Sequence, residues 1–115
     1  MHLFTLSAAL DRQLVGGRPW AELLRVPDLS FGVYVLPAGG VDPQSPHTED
    51  EVYVVLAGRA RFTAGEETVP CGPGDILFVP ARVAHRFHDI AEELRVVVVF
   101  GPAEGSRGGA GEAAD

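Results

Sequence analysis

The sequence is poor in basic charge and in cysteine, and these two shortages exclude several functional classes. Its 115 residues include 9 basic and 16 acidic side chains, which gives a formal net charge of −7. A nucleic-acid-binding domain needs a basic face, so no nucleic-acid partner is expected. Cys71 is the only cysteine, so no internal disulfide can form, and a reducing compartment is the natural environment.

Long apolar runs are also missing, and no secretion signal is expected. No stretch approaches the ~20 apolar residues of a membrane-spanning helix, so no membrane partner is expected. The N-terminal residues MHLFTLSAALDRQL have no basic region and include Asp11, unlike a signal peptide. We therefore expect a cytoplasmic protein with one domain, because 115 residues are enough for a single core.

The chain contains instead a series of short β-forming runs divided by glycine and proline. Strands are predicted at residues 29–36, 52–56, 59–63, 66–70, 84–88 and 94–100, and a buried strand at 76–79. Ala57 and Gly58 would form a two-residue hairpin turn, and Gly32 marks a bulge or a close backbone approach. Residues 1–15 fit either a short helix or an edge strand, and residues 20–26 either a strand or a helical turn. The whole pattern predicts an all-β sandwich or barrel.

Residues 39–58 join a turn-rich loop to a β-strand and place two potential metal ligands on one face. The segment reads GGVDPQSPHTEDEVYVVLAG, with His47 and Glu51 four residues apart. Side chains alternate across a strand, so these two share parity and can face the same side. An imidazole and a carboxylate that converge on one point are typical metal ligands.

With a second segment, GDILFVPARVAHRFHD, this stretch resembles the paired motifs of the cupin superfamily. The first cupin motif runs glycine, five residues, His, one, His, three or four, Glu, six, glycine. It matches residues 39–58, with Ser45 in place of the first His. The second runs glycine, five residues, Pro, one, Gly, two, His, three, Asn. It matches residues 74–89, with Arg82 in place of the Gly and Asp89 in place of the Asn.

The resemblance spans roughly residues 24–100 and implies a single-domain cupin, a jelly-roll β-barrel formed by residues 1–100. It also implies one divalent metal ion, Fe, Mn, Ni or Zn, bound by His47, Glu51 and His85. Two histidines and one carboxylate leave coordination positions open for water, oxygen or substrate. The alternative is that the three polar side chains satisfy one another by hydrogen bonds in the barrel mouth.

The replacement of the first motif histidine leaves the fourth ligand open. Ser45 has only a weakly ligating hydroxyl, whereas the neighbouring Gln44 has a longer side chain with an amide oxygen. The fourth ligand is therefore Gln44, Ser45 or water, or else Gln44 hydrogen-bonds the loop backbone. Glu49 either supports the ligands from behind or forms part of a solvated acidic turn, and the acidic turn is the favoured interpretation.

Strand parity also predicts the walls of a substrate pocket. Tyr53 and Val55 share parity with the carboxylate ligand, and Phe87 shares parity with the second motif histidine, so these side chains should line a cavity beside the metal. Equally, such residues fill the core of any small barrel. Arg82 beside the mouth would meet an anionic substrate, or is a surface residue over a turn.

Three functions remain possible for such a site. The first is a metal-dependent oxygenase or isomerase acting on a small organic molecule, with Glu51 as the catalytic base. The alternative is a non-catalytic cupin that binds or senses a small ligand, with or without metal. The third, sugar-nucleotide epimerase chemistry without metal, requires basic residues for phosphates, and the acidic balance of the chain speaks against it.

The two ends of the chain carry separate expectations. Residues 101–115 are rich in glycine, alanine and charge, which predicts a mobile tail with no role in the site. Leu3, Phe4 and Leu6 are apolar and have no obvious place in a small barrel, so we expect them to mediate a homodimer.

Overall fold

The structure, a computed structural model, describes residues 1–43 and 46–107. In this part of the chain one helix is followed by six strands: α1 (Leu6–Gly16), β1 (Trp20–Val26), β2 (Leu29–Leu36), β3 (Asp50–Ala64), β4 (Glu67–Cys71), β5 (Ile76–Val79) and β6 (His85–Gly101). The strands form one antiparallel sheet in the order β1-β2-β6-β3-β4, and β5 pairs with β3. The predicted all-β class is confirmed.

The N-terminal segment contains the helix, which is the first of its two predicted alternatives. The Thr5 hydroxyl caps its start by accepting a hydrogen bond from the Ala8 N–H at 3.3 Å. Gly17 ends it with a φ of 72°, and its N–H donates to two carbonyls of the last turn. Only Ala9 of the helix is buried, which explains why the apolar periodicity of this segment is weak.

The first two strands form a tight pair. Residues 20–26, which allowed a strand or a helical turn, form a strand, and β2 has the predicted bounds. A Cβ added at Gly32 would lie 2.2 Å from the Ala21 carbonyl oxygen. The pairing register shifts between Glu22 and Leu24, opposite that glycine. The predicted close approach of two backbones at Gly32 is thus confirmed.

The predicted hairpin at Ala57 and Gly58 is wrong, because β3 continues unbroken for 15 residues. Gly58 has a φ of 90°, and a Cβ there would lie 2.2 Å from the Glu93 carbonyl oxygen of β6. The register between β3 and β6 shifts repeatedly from Val55 to Arg61. The glycine therefore permits a bulge that bends the strand, and the chain does not reverse there.

The predicted strands 84–88 and 94–100 are likewise parts of one 17-residue strand, β6. β3 pairs with β6 from Asp50 to Ala64, which lies opposite His85. The Glu51 carboxylate, near the start of this paired stretch, nevertheless lies 2.8 Å from the ring of His85 at its end. The long strand pair therefore has to curve, and this curvature closes the barrel.

The core lies inside this curved sheet, and β5 lies at its rim. The core is made mainly of inward side chains of β2, β3 and β6: Tyr34, Leu36, Tyr53, Val55, Phe62, Phe87, Leu94, Val96, Val98 and Phe100. The expectation of a buried β5 is wrong, since Ile76 and Phe78 are 69% and 62% exposed and only Val79 is buried. The alternation of β5 shows that only one of its faces packs on the core.

We predict that Gly58→Ala destabilises the barrel by more than about 1 kcal/mol, because alanine would be strained at positive φ and would clash with the β6 backbone. The matched control is Gly16→Ala, where a Cβ meets nothing within 4 Å and alanine favours the helix. Chemical denaturation measures both. Equal stability of the two variants would contradict the bulge.

Candidate metal centre

The three side chains that the motifs indicate as metal ligands meet at one point inside the barrel. Glu51 is the second residue of β3, His85 is the first residue of β6, and His47 lies in the loop that enters β3. All three are buried, and one potential ligand atom of each lies within 4.8 Å of the others. This is the arrangement expected of a metal centre built from one carboxylate and two imidazoles.

The Glu51 carboxylate is at the centre of the group. Its Oε1 lies 2.8 Å from His85 Nε2 and 3.8 Å from His47 Nε2. Although the 2.8 Å contact is short, neither carboxylate oxygen accepts a well-directed hydrogen bond from the residues that the structure describes. Burying a carboxylate in this way is unfavourable unless positive charge is close. A divalent cation would supply that charge, so this donor set fits a metal ion.

The protonation of His85 is set by the backbone. Its Nδ1 lies 2.7 Å from the Val83 carbonyl oxygen, which can only accept, so Nδ1 carries a proton. Nε2 then faces the centre, 3.1 Å from the Tyr53 hydroxyl. Burial lowers the pKa of His85, but the contact with Glu51, the Glu51 charge and the Val83 carbonyl outweigh it and raise the pKa. A proton therefore competes with any metal for Nε2.

His47 lies between two carboxylates. Its Nε2 faces Glu51, and its Nδ1 lies 3.6 Å from Oε2 of Glu104. The ring packs edge-on against Phe100, with centroids 4.9 Å apart and an interplanar angle of 72°. The His47 carbonyl accepts a hydrogen bond from the Arg82 N–H at 2.6 Å. Backbone, ring and side-chain contacts thus hold this imidazole toward the centre.

Glu49 holds the C-terminal segment, defined here as residues 102–107, against the barrel. Its carboxylate accepts hydrogen bonds from the backbone N–H groups of Gly105, at 2.8 Å, and Arg107, at 3.1 Å. It also accepts one from the Thr48 hydroxyl. Burial raises the pKa of Glu49, but these hydrogen bonds outweigh burial and lower the pKa. The interpretation of Glu49 as part of a solvated acidic turn is wrong, since it is 1% exposed.

The expectation of a tail without a role in the site is also wrong for residues 101–107. Gly101 ends β6, and Glu104 reaches His47. The low apolar content of this segment predicts that it does not pack on the barrel, but hydrogen bonds of its backbone hold it there. Residues 108–115, the rest of the predicted tail, lie outside the described part of the chain.

A cavity of about 360 Å³ opens beside the metal centre. Its wall is largely apolar and aromatic, with one guanidinium and one carboxylate among its described residues: Arg18, Pro19, Trp20, Tyr34, Pro43, His47, Val98, Phe100 and Glu104. The Trp20 ring makes edge contacts with Tyr34 and Phe100, at centroid distances of 6.5 and 6.1 Å. This volume and lining suit a small organic ligand.

The predicted pocket walls are not the walls of this cavity. Tyr53, Val55 and Phe87 are fully buried in the core, and of these three Tyr53 contacts the centre through its hydroxyl. Arg82 is exposed and has a φ of 69°, and the cavity wall does not include it. Strand parity correctly predicts that the side chains of Tyr53, Val55 and Phe87 point into the barrel. It does not show where along the barrel a cavity remains open.

One residue that organises the site, Asp42, occupies none of the defined positions of either sequence motif. Asp42 is buried and accepts hydrogen bonds from the Tyr34 hydroxyl at 2.7 Å and the Phe87 N–H at 2.9 Å, which ties the loop before β3 to β2 and β6. The position of Asp42 within a turn-rich loop did not distinguish it from other loop residues.

Gln44 and Ser45, the predicted alternatives for a fourth ligand, lie outside the described residues.

A comparison with known families identifies the fold. A family model described as "Cupin domain" matches residues 32–100. The chain belongs to the cupin family. The cupin resemblance inferred from the two motifs is confirmed, and with it the single jelly-roll barrel. An uncharacterized protein of Streptomyces coelicolor, SCO3923, is 44% identical over 104 residues, which cover 90% of this cupin and 99% of that protein.

Solved structures show the same barrel in more distant relatives. The protein TT1209 from Thermus thermophilus has a TM-score of 0.73 at 23% identity, covering 90% of this cupin and 99% of that chain. The DMSP lyase DddQ from Ruegeria pomeroyi has a TM-score of 0.64 at 26% identity, covering 72% of this cupin and 47% of that chain. KdgF from a Halomonas species has a TM-score of 0.66 at 21% identity, covering 72% of this cupin and 76% of that chain.

Within residues 1–43 and 46–107, no helix is long and apolar enough to cross a bilayer.

We predict that Glu51→Gln lowers the affinity for Zn²⁺ at least about tenfold, because it removes the negative charge facing the two imidazoles while keeping the size of the side chain. Competition with a chromogenic chelator measures the affinity. The matched control is Glu67→Gln on β4, an exposed carboxylate that undergoes the same charge change. A cooperative thermal transition of metal-free Glu51→Gln should show that the barrel is intact. Unchanged affinity in this variant would place the metal elsewhere.

Proposed function

We propose that this cupin holds one divalent metal ion through His47, Glu51 and His85 and acts there on a small organic molecule. The observation that carries the proposal is the buried Glu51 carboxylate, which faces two imidazole Nε2 atoms and accepts no well-directed hydrogen bond from the described residues. Imidazole and carboxylate donors suit Fe, Mn, Ni and Zn, and these are the ions we propose for the site.

The chemistry follows from the small number of protein ligands. Three protein donors leave other coordination positions for water, oxygen or substrate. A metal ion held there would polarise a carbonyl or enol oxygen or activate oxygen, which corresponds to isomerase- or oxygenase-type reactions. His47 and His85 orient their Nε2 atoms toward this point. Glu51 supplies the opposing negative charge and a carboxylate oxygen able to accept a proton from a substrate.

The cavity beside His47 is the proposed substrate site. His47 belongs both to the metal centre and to the cavity wall, so a molecule in the cavity lies next to the centre. Trp20, Tyr34 and Phe100 form an apolar wall that keeps water from a bound molecule. The guanidinium of Arg18 and the carboxylate of Glu104 add opposite charges to that wall and would orient polar groups of the substrate.

Two observations bear on whether the protein turns its ligand over. Likeness to the DMSP lyase DddQ, at 26% identity, supports an enzyme, although this cupin covers only 47% of that protein and its substrate does not transfer. Ser45 in place of the first motif histidine favours the second candidate, a cupin that binds or senses a small molecule without turnover.

We also propose a reducing, cytoplasmic environment. Cys71 is the only cysteine of the chain, and it is free and buried. Burial raises the pKa of its thiol, so the reactive thiolate is suppressed, which is consistent with a structural residue.

We further propose a homodimer formed through the N-terminal residues. Leu3, Leu6 and Phe4 are 87%, 44% and 38% exposed, and they precede or begin the helix. The Phe4 ring packs edge-on against Phe31 of β2 at a centroid distance of 5.3 Å. The segment thus lies along the outer side of the barrel with apolar side chains facing solvent, and a second copy could cover them.

The metal-dependent function predicts about one divalent ion per chain in protein purified without a metal-affinity step, measured by elemental analysis. Small-molecule ligands should then change the fluorescence of Trp20, the only tryptophan, because it lines the cavity. Removal of the ion should weaken the binding of ligands that contact it. Absence of any bound ion after supplementation would refute the metal site. Metal and ligand binding without product formation would identify the sensing alternative.

The dimer predicts a mass about twice the 12.2 kDa of the chain in light scattering at micromolar concentration. Leu3→Asp should shift the protein toward monomer by placing a charge in the apolar contact. Ile76→Asp, an equally drastic change at a 69% exposed position on β5, should leave the dimer intact. A monomeric wild-type protein would end this proposal.

A further inference from the structure

The backbone around Glu104 is fixed at several points, although the sequence indicated a tail. The Glu104 N–H donates to the Ser30 hydroxyl at 2.9 Å, and Arg25 Nη1 donates to the Glu104 carbonyl at 2.8 Å. The preceding residue, Ala103, is buried and donates its N–H to the Pro27 carbonyl. After Glu104, the backbone N–H groups of Gly105 and Arg107 donate to the buried Glu49 carboxylate. The Glu104 side chain therefore starts from a well-defined position.

That side chain extends into the wall of the cavity and meets His47 on the side away from the metal centre. It is only 12% exposed, and its Oε2 lies 3.6 Å from His47 Nδ1. This distance is longer than a hydrogen bond, so the contact is one between a carboxylate charge and the ring. In a neutral imidazole, a negative charge beside Nδ1 favours the proton on Nδ1 and leaves the lone pair on Nε2. Glu51 Oε1 opposes this from 3.8 Å on the Nε2 side, but it lies closer, at 2.8 Å, to His85 Nε2.

We propose that Glu104 is a positioning residue, whose carboxylate holds the His47 ring with its proton on Nδ1 and its Nε2 lone pair toward Glu51 and His85. The inference rests on the proposed metal function for its consequence, since a ligating imidazole must present a lone pair to the ion. It assigns to the C-terminal segment a direct part in completing the site.

In both histidines of the centre, Nδ1 faces an oxygen atom outside the centre and Nε2 faces Glu51. His85 Nδ1 donates to a carbonyl two residues away, whereas His47 Nδ1 faces a side chain 57 positions further along the chain. Each ring turns Nε2 inward, toward Glu51. The geometry of His85 is therefore local and that of His47 depends on the docked C-terminal segment.

The test is the tautomer of His47, read from imidazole nitrogen shifts in NMR spectra of metal-free, ¹⁵N-labelled full-length protein at mildly alkaline pH. Wild-type His47 should carry its proton on Nδ1. Glu104→Ala and Glu104→Gln should both populate the Nε2–H form, because each removes the carboxylate charge beside Nδ1. His85 in the same spectra should stay unchanged. Glu92→Ala, which removes a 65% exposed carboxylate, is the control for lost charge.

The effect of the His47 tautomer on the proposed metal site is measured as Zn²⁺ affinity, by competition with a chelator. Glu104→Ala and Glu104→Gln should each weaken Zn²⁺ binding by about ten- to a hundredfold, the typical effect of losing such a partner of a ligand. If the alanine variant does not fold, Glu104→Met, which keeps the length but has no acceptor oxygen, takes its place. An Nδ1–H tautomer that persists in these variants overturns the proposal. A tautomer shift in a protein whose wild type binds no Zn²⁺ supports the role of Glu104 and refutes the metal function.

Discussion

The curvature of the β3–β6 strand pair is the constraint on which the rest of the molecule depends. Glu51 lies near one end of this pair, and His85 lies at the other, opposite Ala64. Their side chains nevertheless come within 2.8 Å of each other, which is possible only because the pair bends round and closes on itself. The bulge at Gly58 allows that bend, and β5, which pairs with the start of β3, returns the chain toward Glu51 just before His85.

Two carboxylates two residues apart have different roles because their surroundings differ. Glu49 and Glu51 are each 1% exposed. Glu49 is satisfied by two backbone N–H groups and a hydroxyl, which makes it the anchor of the C-terminal segment. Glu51 faces two imidazoles and accepts no comparable hydrogen bonds from the described residues. A satisfied carboxylate has little to offer a cation, whereas Glu51 retains its ligating oxygens.

The errors of the sequence-based predictions have a common physical origin. Gly58 between two β-forming runs predicts a reversal, but positive φ occurs both in hairpin turns and in bulges, and only the partner strand distinguishes the two. The β5 strand is apolar along its length, yet its outer face, with Ile76 and Phe78, is exposed. In both cases the local pattern correctly predicts β structure, but whether the chain turns or which face is buried depends on a neighbour distant in the sequence.

The family, most strand positions and the three candidate ligands can be inferred from the sequence alone. Those conclusions depend on spacing and on side-chain alternation, which are properties of a short stretch of backbone. The position of the cavity, its lining by Trp20 and Tyr34 and the contact of Glu104 with His47 are visible only in the folded chain. These features arise from contacts between segments far apart in the chain, and a composition-based argument cannot detect a segment that is held by its backbone hydrogen bonds.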